Sequence, residues 1–286
     1  SWFKGLKQEE VLDGIQFHWL LKTGKNPRSF FSSIGRLSYT KSLERGLAQL
    51  AEQHSFDLIH CMNMTSLHAI VLKKRIKTPF IAHVNSPLFL WPSGVLTTEN
   101  MEMEPTLRNF AKDQFRSKQI GRLQYPAFVR YNPAAWWMIQ RRFETLNKDL
   151  KQFDAWIGIS PFMTEQLLKQ KYPKKKVHLL PNIVPLQDFL SLPFVQHAPP
   201  HILYVGQYEQ YKGPHILLEA LVQLAMPYRC SFYGTGSMQL SLQQFVTQHR
   251  LNVHIYPELP YSKIPAVLEA HDIVVFPSLV AEAFGR

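Results

Sequence analysis

The sequence predicts an α/β protein of two domains, each built on a parallel sheet with crossover helices. Three observations carry this reading. Short apolar runs alternate with segments of helical period along most of the chain. The alternation stops over residues 186–200, a proline-rich stretch with no regular pattern, and then resumes. In the second half, every residue with chemical potential stands just after the C-terminal end of a predicted strand, the edge where such sheets bind ligands. The expected organisation is a first domain over 1–185 with a helical insertion at about 86–140, a linker over 186–200, and a second domain over 201–286. Two such units joined by a linker make a cleft between them.

In order, residues 1–10 are polar, and 14–20 (GIQFHWL) read as a strand. Residues 23–33 carry Gly24, Asn26 and Pro27 and read as a loop. Ile34, Leu37, Leu43, Leu47 and Leu50 recur with helical period. Residues 56–60 are a short buried strand, 66–77 a helix with lysines at its C-terminal end, and 79–84 a strand. Residues 85–132 break the rhythm. They mix aromatic and cationic side chains, and Arg108, Lys112 and Arg116 share one face of a helix. Two readings stand: a surface that meets anionic lipid or an acceptor, or a solvated helix whose aromatics pack on the domain. Residues 136–150 form a helix, 155–159 a strand, 160–171 a helix capped by Ser160-Pro161, and 177–180 a strand. The second set is strand 202–205, helix 214–225, strand 228–233, helix 238–250, strand 253–256, short helix 262–269 and strand 273–276.

Composition narrows the class. The 286 residues have 45% hydrophobic and 13% aromatic content, which suits globular domains with real cores. Cys61 and Cys230, the two cysteines, lie in apolar runs, so reduced buried thiols and a cytosolic setting are expected rather than a disulfide framework. No run is long and apolar enough for a membrane span. The formal charge of +11 fits nucleic acid, anionic lipid or phosphorylated ligands equally. The chain starts at SWFKGLKQEE and stops at AEAFGR, and it is expected to be a fragment truncated at both ends.

The chemistry gathers on four loops of the second half. Gly206 and Lys212 follow the first strand, Gly234-Thr235-Gly236 the second, PELP (257–260) the third, and Pro277-Ser278 with Glu282-Ala283-Phe284-Gly285 the fourth. Glycines let backbone N–H groups approach a ligand closely, a lysine suits phosphate oxygens, and a carboxylate suits sugar hydroxyls or developing positive charge. The plainer alternative is a set of turn glycines with a solvated lysine. Taken together they point to a phosphate-bearing ligand with a polyol part.

Seen as an ordered series, these segments resemble the retaining nucleotide-sugar glycosyltransferases of family 4 (glycosyl transferases group 1), whose GT-B fold is two Rossmann-like domains facing a cleft. ILYVGQYEQYKGPHILLEAL resembles that family's strand–G–R–x4–KG–helix donor loop, FYGTGSMQLSLQQFV its GxG segment, and KIPAVLEAHDIVVFPSLVAEAFG the first half of its E-x7-E motif. FDLIHCMN, TPFIAHVNSP, AWIGISPFMTEQL and VHLLPNIVPLQDF resemble its acceptor-domain segments. The resemblance implies sugar transfer from a nucleoside diphosphate sugar to a glycan, lipid-linked or small-molecule acceptor, with retention, by a hexosyltransferase-like enzyme of polysaccharide or glycolipid synthesis. It implies that Lys212 binds the donor diphosphate and Glu282 contacts the donor sugar near the reacting carbon. Phe284 and Gly285 would supply backbone amides, Gly206, Gln207, Gly234 and Gly236 would line the donor site, and His83 would face the transferred sugar. No cofactor or metal is implied. Expected partners are the donor and acceptor, with peripheral contact to an anionic membrane at its cytoplasmic face and no nucleic acid.

The chain departs from the family pattern. Gln207 stands where an arginine is usual, and Ile183 where a glycine is frequent. The second glutamate of E-x7-E falls beyond residue 286, and the first acceptor-domain strand is not recognisable. Gln207 keeps open a non-catalytic nucleotide-sugar-binding homologue. A nucleic-acid module and a sugar-nucleotide epimerase or glycan phosphorylase are further rivals. His60 is a weaker candidate than His83, while Ser160 reads as a cap, Asn182 as a turn residue and Lys174–Lys176 as a solvated run.

Overall fold

The structure, a computed structural model, describes residues 9–18, 39–63, 66–97, 99–116, 131–183, 187–190 and 196–284. The expected helical residues Ile34 and Leu37 lie outside the described residues, as does Gly285. By contact the chain divides into two compact units. One comprises Ser1–Phe89, Arg141–Pro181 and Ala283–Arg286, the other Leu90–Gln140 and Asn182–Glu282. The sequence reading assigned 86–140 to the first domain, whereas by contact Leu90–Gln140 groups with the later residues.

The first unit opens with a hairpin instead of the single strand expected over 14–20. β1 (Glu9–Leu12) pairs antiparallel with β2 (Ile15–His18). Asp13 and Gly14 both have positive φ, 51° and 78°, the geometry that an Asp-Gly pair adopts in a two-residue hairpin turn. Helix α1 (Tyr39–Gln53) leads to β3 (Ile59–Cys61), and a 3-10 helix over Ser66–Lys74 replaces the expected longer helix. β4 (Phe80–Val84) is buried along most of its length, as a strand covered on both faces must be. Helix α2 (Leu107–Arg116) belongs to the second unit, and helix α3 (Pro133–Leu150) returns the chain to the first. β5 (Ala155–Gly158) precedes α4 (Pro161–Lys169). Ser160 caps α4 by accepting the Met163 N–H at 3.2 Å, with Pro161 in the first turn. β6 (Val177–Leu179) completes a parallel sheet in the order β3-β4-β5-β6.

After a short helix α5 (Gln187–Leu190), the second unit holds β7 (His201–Val205), α6 (Pro214–Gln223), β8 (Arg229–Tyr233), α7 (Gln239–His249), β9 (Val253–Tyr256), α8 (Ile264–Glu269) and β10 (Ile273–Val274). Its parallel sheet runs β10-β7-β8-β9. Ile202, Tyr204, Cys230, Phe232 and Val253 present one face of this sheet to Leu217, Leu218 and Leu221 of α6 and Leu242 of α7, forming a continuous core. Both cysteines are free and buried, and burial pushes the thiol of Cys61 up to about 11 and that of Cys230 up to about 12.

Candidate active site

The strand order of the second unit reverses between β7 and its neighbours. From β7 the chain steps to β8 and β9, then returns to place β10 on β7's other side. Loops leaving adjacent strands on either side of such a reversal diverge and leave a crevice beyond the strand ends, the general ligand position in open α/β sheets. The two loops here are 206–213 and 275–282.

They meet through specific contacts. Gly213 has a φ of 70°, in the left-handed region, and a Cβ on it would overlap the Pro277 carbonyl oxygen. The Leu279 N–H donates to the Tyr211 carbonyl at 2.9 Å. Lys212 Nζ donates to Glu282 Oε1 at 2.8 Å, with the two side chains 29% and 27% exposed. Ser278 Oγ donates to the same carboxylate oxygen at 2.7 Å. Glu282 is therefore held by a cation and a hydroxyl, and its other oxygen faces no partner among those bonds. Gln207 is also held, since its Oε1 accepts the Tyr211 phenol at 2.9 Å, so the remaining N–H donors of its amide point elsewhere. Burial, and secondarily the Glu209 and Glu282 carboxylates, raises the Tyr211 phenol, so at neutral pH it is a donor.

The two glycine loops are joined to each other. A Cβ on Gly234 would overlap the Gly206 carbonyl oxygen, and one on Gly236 would overlap the Tyr208 carbonyl oxygen. Tyr208 is fully buried and sits at the centre of this junction. Its N–H donates to Thr235 O at 2.9 Å, its carbonyl accepts the Met238 N–H at 2.9 Å, and its phenol donates to Tyr256 O at 2.8 Å. Glu209 adds a charged tie, accepting the Ser237 N–H at 3.0 Å and its hydroxyl at 2.7 Å. Tyr208, Glu209 and Tyr211 were not predicted to act, and Ser278 was named at this edge without a role. The sequence signal for them was only their place inside the loops already singled out.

Gly206, Gln207, Lys212, Gly234, Gly236 and Glu282 thus converge on one sheet edge of the second unit. His83 belongs to the first unit, at β4, and is 4% exposed. Neither ring nitrogen has a hydrogen-bond partner, and the ring stacks on His60 at 5.2 Å. Burial lowers its pKa, His60 adds to this, and the nearby Leu180 backbone opposes it, so the ring is neutral at pH 7. Phe284 is half-buried and also groups with the first unit. Among the described residues, no group of three or more His, Cys, Asp or Glu is placed to hold a metal ion. Among them too, no helix is long and apolar enough to cross a membrane.

Comparison with known proteins extends this picture. Residues 9–188 match Glycosyltransferase Family 4, and residues 194–286 match Glycosyl transferases group 1. No curated protein matches the chain. Among solved structures, the chain is similar to the lipopolysaccharide outer core galactosyltransferase WaaB in its apo form, at 13% identity and a TM-score of 0.56, over 90% of this chain and 58% of that one. It is similar to HepE from Anabaena in complex with UDP, at 16% identity and a TM-score of 0.55, over 93% of this chain and 62% of that one. It is also similar to apo OtsA, at 11% identity and a TM-score of 0.55, over 90% and 59%. At such identities the likeness concerns the fold alone. The chain spans between 58% and 62% of the length of these relatives.

Proposed function

This chain belongs to glycosyltransferase family 4 and has the GT-B fold, and from that premise we propose that it transfers a sugar from a nucleoside diphosphate sugar, with retention, to a glycan, lipid-linked or small-molecule acceptor. The observation that carries the proposal is the meeting of Lys212 and Glu282 at the strand-order reversal, 2.8 Å apart, beside two closely packed glycine loops. In this reading the donor diphosphate takes Lys212 as its cation and the backbone N–H groups of the glycine loops as further donors. Glu282 turns to the sugar near the anomeric carbon. The bond from that carbon to the diphosphate oxygen breaks, a bond to the acceptor oxygen forms, and the acceptor's proton leaves with the diphosphate. His83, neutral and with both nitrogens unpartnered, is proposed to face the transferred sugar. Phe284 and Gly285 are proposed to offer backbone amides. No metal enters the proposal, because charge on the leaving group is met by side chain and backbone donors.

The HepE complexes with UDP and UDP-glucose make a uridine sugar the first donor to try. Titration calorimetry with UDP-glucose and UDP-galactose, followed by radiolabel transfer to an acceptor panel, tests the reading. Lys212→Ala should weaken donor binding about tenfold or more, in keeping with loss of a charge-assisted contact. Glu282→Gln should retain binding and reduce transfer, to a measurable residue, far more than it perturbs folding. Unchanged affinity in the first or unchanged transfer in the second overturns the assignment. Gln207 favours a second reading, a binding protein without turnover. It predicts donor affinity with no transfer or hydrolysis across the panel. We further propose a cytoplasmic position against the inner face of a membrane, supported by the +11 charge and by Arg108 and Lys112, both exposed on α2.

A further inference from the structure

One buried carboxylate in the second unit has no part in the chemistry proposed above. Asp113 lies on the inward face of α2 and is 8% exposed. Its Oδ2 accepts the Trp91 indole N–H at 3.0 Å and a side-chain N–H of Asn100 at 3.4 Å. Trp91 is fully buried and meets Phe110 edge-on. Asn100, 2% exposed, closes the turn before it. Its Oδ1 accepts the Thr97 N–H at 2.8 Å, its backbone N–H donates to Thr97 Oγ1 at 3.2 Å, and its Nδ2 donates to Val95 O at 3.0 Å. Both neighbours of Leu96 are held by one buried side chain. Leu96 itself is 2% exposed, and its carbonyl accepts the Ala281 N–H at 2.8 Å. Ala281 immediately precedes Glu282.

A buried carboxylate is an expensive way to fill space, since an apolar residue of like volume would avoid the desolvation cost. What it supplies is direction. Two donors converge on one oxygen and fix the turn that carries Leu96, and a satisfied buried network resists rearrangement. We propose that Asp113 is a positioning residue for Glu282, acting through Asn100 and the Leu96–Ala281 backbone bond to hold the carboxylate opposite Lys212. The proposal rests on Glu282 being the group that faces the donor sugar. It gives the segment 91–116 a task in the transfer step.

The test compares Asp113→Asn, which keeps an acceptor for both donors, with Asp113→Leu, which removes it at similar volume. Amide hydrogen exchange is read in the full chain. Ala281 should exchange about tenfold faster or more in the leucine variant, with β8 and α6 unchanged and the asparagine variant like the parent. Unchanged exchange at Ala281, or acceleration spread evenly over the unit, overturns the proposal. A second arm measures transfer from UDP-glucose. The leucine variant should lose kcat about tenfold at unchanged donor KM, and the same change in a Glu282→Gln background should cost nothing more. Additive losses overturn the proposal, since general damage would add. Absence of turnover in the unaltered chain counts against the transferase reading, and the exchange arm still decides the network. Should the leucine variant fail to fold, Trp91→Phe removes one donor and keeps a ring, and Ala281 exchange is read in the same way.

Discussion

Replacing Gly234 with alanine should damage the donor site by forcing its two glycine loops apart. The demand at this position is space. A Cβ there would overlap the Gly206 carbonyl oxygen, while standing 3.0 Å from its carbon and 3.2 Å from Tyr208 Cε1. Neither neighbour is a flexible side-chain tip. Restoring ordinary contact distances requires the two loops to part by on the order of 1 Å. Three backbone bonds span that gap: Gly206 N–H to Tyr233 O at 3.0 Å, Tyr208 N–H to Thr235 O at 2.9 Å, and Met238 N–H to Tyr208 O at 2.9 Å. Overpacking costs about 1–3 kcal/mol and the loss of one of these bonds about 0.5–1.5 kcal/mol more, so a total of about 1.5–4.5 kcal/mol is expected. Part of it falls on stability, about 2–4 °C in Tm for each kcal/mol in a chain of this size. The remainder should appear as about tenfold weaker binding of UDP-glucose by calorimetry. Gly206→Ala is the control. Its Cβ would meet only the end of the Tyr204 side chain, at 3.2 Å from the phenol oxygen, and its effect should be smaller. Gly234→Ala with unchanged affinity and Tm, or a reversed order of the two variants, would refute the packing argument.

Two further outcomes are expected. Asp272 accepts the His201 N–H at 2.7 Å and the His197 N–H at 2.9 Å, and these bonds, that of His201 first, hold its pKa down to about 2 from an ordinary 3.8. A lowered carboxylate gives stability that is present above 3.8 and lost as pH falls through about 2, so denaturant unfolding over this window should show a slope that Asp272→Asn flattens; parallel curves would remove Asp272 as its source. For the membrane position, co-sedimentation with phosphatidylglycerol vesicles should fall when Arg108 and Lys112 are both replaced by glutamine, and equal binding to neutral phosphatidylcholine vesicles would count against it.

Much of the fold was legible because local pattern and architecture agree. Apolar runs alternate with amphipathic segments, and the two parallel sheets formed from the strands expected, with ends displaced by a residue or a few. The hairpin at 9–18 was missed although Asp13-Gly14 between apolar residues is its standard signal; the aromatic run after it drew the reading toward one longer strand. Strand order was not legible, because which neighbour a strand takes depends on packing at a distance. The sequence placed Lys212 and Glu282 after their strands, but only the return of β10 to the side of β7 makes them partners. The ties of Gln207 to Tyr211, Glu209 to Ser237 and Leu96 to Ala281 were likewise invisible. Two are side-chain choices made after the loops close, and the third is a backbone bond that carries no residue signature.

That return of β10 has a consequence for how the protein acquires its site. Lys212 and Glu282 are 70 residues apart, and β10 follows β7, β8 and β9 along the chain. The strands β7, β8 and β9 can pair in the order they emerge, each beside the one before it. β10 must instead travel back across the sheet to the open edge of β7, a closure of high sequence separation and a slow kind of step. Until it arrives, the lysine has no carboxylate and Glu282 has no strand to place it. Competence to hold a donor would then mark the pairing of β10 with β7, and a ligand that binds only the paired form stabilises that pairing in particular.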